Sequence, residues 1–536
     1  MSFSSVAEAL SFRATACPDR DFVKSGGDWL TYGGIHSCAC EVAEGLVDRG
    51  IGRGDRVAVM AGTRDEVIET FFACALLGAV FVPLNIYLKG DFLRHQLQDS
   101  RAKLLIVDAP GATAAADVVA DSSVREMICL DEPDETLKDA ITTACYAVLR
   151  GEPSAPRRGT ESVLRRPDPV SIIFTSGTTG RSKGCLLSHG YYLCAPLPYL
   201  DFGWLVPGDR ILTALPLFHL SAHNLLMKAL LVEDVSVCFE PAFSASKFID
   251  QCARERATVT WGMGPMGMML LRQPVRAEDA KYPMRLAIWM AMDADSQSYY
   301  ERRFATPVVS AGYGQTECSP VTLGPIGDPH GRGTIGRPCP RMEVRLVDDD
   351  DVEVADGMVG EIVIRPRDPN SMYSGYVENS TATVETWRNL WHHTGDLARL
   401  TAHEYFVYVG RKRDSLRRRG ENVSSFELES AILRYDVRIM QAAVTAVPSP
   451  LGEDDIKATL VLNGDADRPS PAELFAIFQR SLPYFAIPRY VEFRDDLPIT
   501  PTGRVQKHVL RAEGVTESTI DLEALGLTVS RDSRRC

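Results

Sequence analysis

Between about residues 50 and 265 the chain repeats one pattern: short β-branched or apolar runs at 56–60, 104–107, 171–174, 211–215 and 235–239, separated by segments long enough for a helix. Strands that are apolar at nearly every position are buried on both faces, and a helix between successive strands makes them parallel. The chain is thereby confined to the α/β class, built from βαβ units. Its 536 residues exceed what one hydrophobic core can organise, so two or more domains are expected. The longest apolar run, 71–84, is short for a membrane span and contains Pro83, so it reads as a buried helix running into a strand. A net charge of −13 argues against nucleic acid or an anionic membrane as partner, and any anionic ligand has to be held by local cations. The 13 cysteines are scattered without a Cys-x-x-Cys pair, which suggests neither a disulfide framework nor a zinc site. The N-terminus lacks the pattern of a secretory leader, and a reducing cytoplasm suits the free thiols.

The segment 150–169, rich in Pro and Arg, has no periodicity and reads as a surface connection. Beyond residue 340, strand-like runs at 342–347 and 360–365 flank an acidic turn region, 348–356, and predict a small β subdomain. After residue 411 a tail of its own strand and helix runs (441–447, 456–462, 471–479 and 490–494) is long enough for a separate small α+β domain. The expected organisation is an N-terminal domain at 1–410, of two βαβ-type subdomains and a β subdomain, a joint at 411–414, and a C-terminal domain at 415–536.

Directly after the run 170–174 comes Thr175-Ser176-Gly177-Thr178-Thr179-Gly180-Arg181-Ser182-Lys183-Gly184. Glycines let backbone N–H groups converge on an anion, hydroxyls add donors, and Lys183 brings a mobile charge, so the loop suits polyphosphate. It is not a Walker A motif, because Ser182 rather than Gly precedes Lys183 and Gly184 follows it. Taken alone, such a segment is more often a plain surface turn.

Four further segments stand out. Gly312-Tyr313-Gly314-Gln315-Thr316-Glu317 sets a ring that can lie on a base close to a carboxylate suited to Mg²⁺, although an isolated Glu317 is more often a solvated surface acid. Trp391-His392-His393-Thr394-Gly395-Asp396 places Asp396 at a glycine turn, where it either accepts ribose hydroxyls or stabilises its own turn. The run 411–419 carries six basic residues before Gly420-Glu421-Asn422-Val423, and Thr500-Pro501-Thr502-Gly503-Arg504-Val505-Gln506-Lys507 sets two cations after a turn.

In this order and at these separations the five segments resemble the acyl- and aryl-adenylate-forming enzymes, the family of acyl-CoA synthetases, nonribosomal peptide adenylation domains and beetle luciferases. The resemblance spans nearly the whole chain. It implies that the loop from Thr175 through Ser176, Gly177, Thr178, Thr179 and Gly180 to Lys183 holds the ATP phosphates, that Tyr313 stacks on adenine, and that Thr316 touches the α-phosphate. It further implies Mg²⁺ at Glu317 and Thr175, ribose at Asp396 and Arg411, and a small domain that swings about Arg413 to present first Arg504 and then the Gly420 loop. The implied reaction converts an acid and ATP into acyl-AMP and pyrophosphate, after which a thiol displaces AMP. Two departures stand out: Arg504 replaces the family's catalytic lysine, with Lys507 as an alternative cation, and Ala291-Met292-Asp293 replaces a Gly-Ala-Pro turn beside adenine.

Amino-acid-activating relatives carry Phe-Asp-x-Ser, whereas this chain has Phe218-His219-Leu220-Ser221 and lacks the partner for a substrate ammonium. By resemblance His219 lines the gate between the acid pocket and the pantetheine tunnel. No carrier domain follows the last motif, so coenzyme A is the expected acceptor, with a separate carrier protein as alternative and a downstream acyltransferase as a further partner. The wording around Gly420 looks most like carnitine and crotonobetaine CoA ligases. The acid pocket is expected from Trp261, Met263, Met266, Met290, Met292 and Gly312, with polar selectivity from His223 and Asn224. A methionine-rich wall suits a bulky aromatic, alicyclic or medium-chain acid.

Overall fold

In the strand Arg56–Met60, Val57 and Val59 face one hydrophobic cluster while Ala58 and Met60 face another. The strand Leu104–Val107 divides its residues in the same way. This two-sided burial follows from the period of two along a strand whose residues are all apolar. The computed structural model describes residues 3–132, 141–150, 163–175, 182–412, 415–418, 421–448, 454–464, 466–482, 486–499 and 505–528. Among them, Arg56–Met60 and Leu104–Val107 belong to a seven-stranded sheet that also contains Val80–Pro83, Glu126–Cys129 and Thr142–Cys145, all parallel, and closes with the antiparallel pair Pro169–Phe174 and Gly184–Ser188. The apolar run at 71–84 is the end of the helix Asp65–Leu77 followed by the strand Val80–Pro83, both buried.

A second seven-stranded sheet orders Val308–Val309, Leu286–Met290, Val259–Met263, Arg210–Thr213 and Ser236–Phe239 in parallel, and takes in the early strands Asp21–Lys24 and Leu30–Thr31 at its far edge. Ile211 faces the cluster shared with the first sheet, whereas its neighbour Leu212 faces a separate outer cluster with Ala287 and Trp289. Residues of the helices Tyr32–Asp48, Asp65–Leu77 and Leu220–Leu231 lie in the same cluster as the inner faces of both sheets, which unites the two βαβ subdomains around one core. The acidic region 348–356 sits between the antiparallel strands Met342–Val347 and Val359–Pro366, which continue into Trp391–Leu400 and Phe406–Arg411 in a five-stranded sheet.

The small C-terminal unit has its own cluster and a four-stranded sheet of Ile439–Pro448, Asp454–Leu462, Tyr490–Phe493 and Ile520–Asp521. The helix Pro471–Ser481 starts on a capping box between Ser470 and Glu473, as the Ser-x-x-Glu spacing dictates. The basic run 411–419 is partly a hairpin: Ser415–Arg418 pairs with Glu421–Ser424. No helix among the described residues is long and apolar enough to cross a membrane, and every cysteine among them is unpaired.

Candidate active site

Ligands of open parallel α/β sheets bind beyond the carboxyl ends of the strands, and the phosphate loop follows such an end at Phe174. Of the phosphate loop, residues 176–181 lie outside the described residues; its two ends are tied together by Thr175 N–H donating to the Lys183 carbonyl at 2.9 Å. The helix Gly90–Ser100 holds the far end, with Gln96 Nε2 donating to Ser182 Oγ at 3.1 Å and His95 Nε2 donating to the Ser182 carbonyl at 2.8 Å. Lys183 Nζ lies 4.8 Å from the centre of the Tyr376 ring.

Tyr376 then links this cation to Glu317: its hydroxyl donates to Glu317 Oε1 at 2.7 Å. Burial first, and the Glu317 charge second, push the Tyr376 phenol far above its ordinary range, so it acts as a fixed donor. Glu317 is only 9% exposed, and no cationic side chain pairs with it among the described residues. The solvated surface acid considered from sequence is therefore excluded. A buried carboxylate without a cation is costly, and its hard oxygens fit Mg²⁺. The neighbouring backbone is fixed too: Tyr191 Oη donates to the Thr316 carbonyl at 3.1 Å, and Tyr373 N–H to the Glu317 carbonyl at 2.8 Å.

Asp396 is 3% exposed. It receives Tyr313 Oη at 2.7 Å, Gln315 Nε2 at 2.6 Å, Tyr408 Oη at 3.3 Å and Arg411 Nε at 3.1 Å. Asp396 and Arg411 are direct cross-strand partners, which explains how residues 15 apart in sequence meet. The glycine turn inferred from sequence is corrected here. Gly395 lies inside the strand Trp391–Leu400, where its φ of 70° makes a bulge that shifts the register against Val359–Pro366 and turns Asp396 toward Tyr313. Beside it, Lys412 Nζ pairs with Glu361 and Asp349, each at 2.9 Å.

The chain of contacts thus runs from Lys183 through Tyr376, Glu317 and the segment 312–317 to Asp396 and Arg411. Arg413, Gly420 and Arg504 lie outside the described residues. Lys507, the alternative cation, is engaged within the small domain, with Nζ 2.8 Å from Ser425 Oγ and 2.7 Å from Glu429 Oε1.

Next to Gly312 the acid-pocket residues divide. A Cβ on Gly312 would stand 2.7 Å from Met290 Cε and 3.1 Å from Trp204 Cη2, so the nucleotide segment lies close against this wall. Trp261 lies in the same wall, its ring 5.1 Å from Tyr199 and 6.1 Å from Trp204 between centroids. Met263 is exposed at the end of its strand, and Met266 packs at the core edge beside Gly262. His219 stands half-buried at the start of the helix Leu220–Leu231, its ring 4.6 Å from that of Phe218.

Two expected pocket residues belong to the core instead. His223 is 1% exposed, faces the rings of Phe71, Phe81 and Tyr192, and donates from Nε2 to the Leu217 carbonyl at 2.7 Å. Burial holds its pKa at about 4, so it stays neutral. Met292 packs on Gly267 in the outer cluster, because the helix Gly264–Leu271 covers it. Preceding it, Ala291 adopts a φ of 66°, the left-handed backbone that a glycine would fill without strain.

Lys228 and Tyr376 were not anticipated. Lys228, in the last turn of the helix Leu220–Leu231, is 1% exposed, and its Nζ lies 3.9 Å from the centre of the Tyr199 ring and 4.5 Å from that of Trp261. Burial drives its pKa well below the ordinary lysine range. Ring faces return about 0.5–2 kcal/mol to an ammonium, less than the several kcal/mol of removing it from water.

Known proteins match the chain over most of its length. The AMP-binding enzyme family matches residues 10–377, and the AMP-binding enzyme C-terminal domain matches 427–504. The chain is 31% identical over 507 residues to a feruloyl-CoA synthase from Amycolatopsis sp, covering 93% of this chain and 97% of that protein. It is 30% identical over 476 residues to a crotonobetaine/carnitine–CoA ligase from Salmonella typhi, covering 86% and 89%. The fold matches that of the anthranilate CoA ligase AuaEII in complex with anthranoyl-AMP, with a TM-score of 0.83 at 22% identity and 98% and 99% coverage. The chain belongs to the AMP-binding enzyme family and is an ATP-dependent, AMP-forming acid–CoA ligase that works through an acyl-AMP.

Proposed function

We propose that the acid activated here carries a bulky aromatic or alicyclic group, or a medium-length chain, and that free coenzyme A takes the acyl group. The observation that carries this reading is the packed group of Trp261, Trp204, Tyr199 and Met290 against Gly312, three buried aromatic rings and one adaptable thioether. The likeness to a feruloyl-CoA synthase supports it. A betaine of the kind named for the Salmonella relative fits poorly, because the cage that would receive a quaternary ammonium already holds the chain's own Lys228.

In this reading the substrates bring both nucleophiles, and the protein supplies position and charge. Lys183 and the loop 175–183 neutralise the phosphates, and Arg504 closes over them from the small domain, with 411–414 as the joint between the domains at 1–410 and 415–536. Tyr313 packs on adenine, Thr316 binds the α-phosphate, and Asp396 with Arg411 receives the ribose. Glu317, with Thr175, would hold Mg²⁺, which would supply charge neutralisation to the phosphates. His219 gates the passage through which the thiol arrives, and the Gly420 loop borders that passage after the domain turns. Reducing cytoplasm is the setting that suits these thiols and substrates.

The test is acid-dependent release of pyrophosphate and AMP from MgATP, with and without CoA, over aromatic, alicyclic, fatty and betaine acids. Thioester formation with aromatic or alicyclic acids is expected. Preferential turnover of carnitine or acetate over all of these overturns the reading of the acid, and acyl-AMP that persists in the presence of CoA assigns the acceptor role to a carrier protein.

A further inference from the structure

Besides His223, the helix Leu220–Leu231 carries two buried polar side chains one turn apart, Asn224 and Lys228, the latter at the wall assigned above to the acid. Asn224 Oδ1 has no hydrogen-bond partner. Lys228 Nζ has a single long hydrogen bond among the described residues, 3.3 Å to the Asn224 carbonyl, and no carboxylate pairs with it there. Buried polar groups are ordinarily satisfied, and an ammonium most of all. The helix C-terminus and the two ring faces offset only part of this deficit.

The cage around the amine is rigid. Trp204 Nε1 donates to the Gly324 carbonyl at 2.7 Å, and the three rings lock one another at 5.1 to 6.1 Å between centroids. On its nucleotide side the cage is bounded by Met290, whose Cε fills the space against Gly312, and a methionine is the side chain most easily displaced by a ligand. In the acid site proposed above, displacing Met290 would open the way from Gly312 along these rings, whose faces carry the Lys228 amine.

We propose that Lys228 is a specificity determinant for an acid bearing, at the end remote from the reacting carboxyl, a second oxygen that accepts a hydrogen bond. The inference rests on the reading of the acid site above and narrows its substrate class: plain hydrocarbon acids leave the amine unmet, whereas a distal carboxylate or phenol oxygen completes it. The aromatic cage then packs the body of the acid and the amine fixes its far end. Both oxygen sources share this chemistry and are separated in the test.

The experiment compares kcat/KM for benzoate, 4-hydroxybenzoate and terephthalate, and for cinnamate and 4-hydroxycinnamate, in the unaltered protein and in Lys228→Met and Lys228→Arg. The unaltered protein is expected to prefer an oxygen-bearing acid over its parent at least tenfold, mainly through KM. Lys228→Met is expected to erase that preference, and Lys228→Arg to restore part of it. A preference for terephthalate identifies a dicarboxylic substrate, and one for the hydroxy acids a phenolic one. No preference in the unaltered protein, an unchanged preference in Lys228→Met, or an equal loss on every acid overturns the proposal and leaves the acid-site reading intact. The absence of AMP release with every acid of the panel overturns both.

Discussion

Two buried lysines of this chain have opposite surroundings. In the small domain, Lys457 is fully buried, paired with Glu492 on the adjacent parallel strand, and donates to the Gly514 carbonyl at 2.6 Å. Glu492 in turn accepts from Arg494 Nε at 2.8 Å. In the large domain, Lys228 is equally buried among rings, with no such partner among the described residues. The same division holds for acids: Glu361 is met by Lys412, His393 and the Gly395 amide, whereas Glu317 has Tyr376 and no cation. Where a buried charge only has to hold the fold, the fold completes it. Lys228 and Glu317 are left incomplete, and in the proposed function a ligand completes them.

Breaking a completed pair carries the largest expected effect. Lys457→Met leaves Glu492 buried with only Arg494 as a cationic partner, and denaturant unfolding should register a loss of up to about 3–5 kcal/mol. Lys228→Met, by contrast, removes an unmet charge, and the same measurement should find stability unchanged or raised by up to about 4 kcal/mol. A large loss there would erase the contrast.

Glu317→Gln sharpens the distinction from the side of function. Acid-dependent pyrophosphate release should fall about 10²- to 10³-fold, with no loss of stability. Tyr376→Phe, which leaves Glu317 in place but unheld, should cost about tenfold and raise the Mg²⁺ concentration needed for half-maximal rate.

Acid titration adds a milder test. Burial alone would raise the pKa of Glu492, but its bonds to Lys457 and Arg494 bring it down from 4.5 to about 2. Because the folded value is the lower one, this stabilisation is fully present above pH 4.5 and should drain away as pH falls from there toward 2. Circular dichroism of the small domain's unfolding across that window measures it. Smallest of all, Ala291→Gly should stabilise by about 0.5–1 kcal/mol by relieving the left-handed backbone, visible as a small rise in Tm.

The scaffold was legible wherever one periodicity governed a segment. Arg56–Met60 and Leu104–Val107 were bounded from sequence as they stand, since a doubly buried parallel strand is apolar throughout and ends where polarity returns. The nucleotide segments were legible because glycine, hydroxyl and charge recur at short spacing within each. Tyr376 was not, since nothing local distinguishes it; only the pairing of 374–377 along the strand Gly184–Ser188 brings it between Lys183 and Glu317. Lys228 was hidden by ordinary placement, because a basic residue in a helix's last turn usually points to water. His223 and Met292 misled in the opposite sense: both lie close in sequence to cleft residues, but helical and strand geometry turns them into the core.

The crowding at Asp396 has a consequence for the rhythm of the enzyme. Its carboxylate already receives four donors, so in the proposed function a ribose hydroxyl docking there would trade places with Tyr313, Gln315 or Tyr408 and add little net bonding. The sugar would then be recognised more by shape than by grip, and the displaced donor would close behind the spent nucleotide.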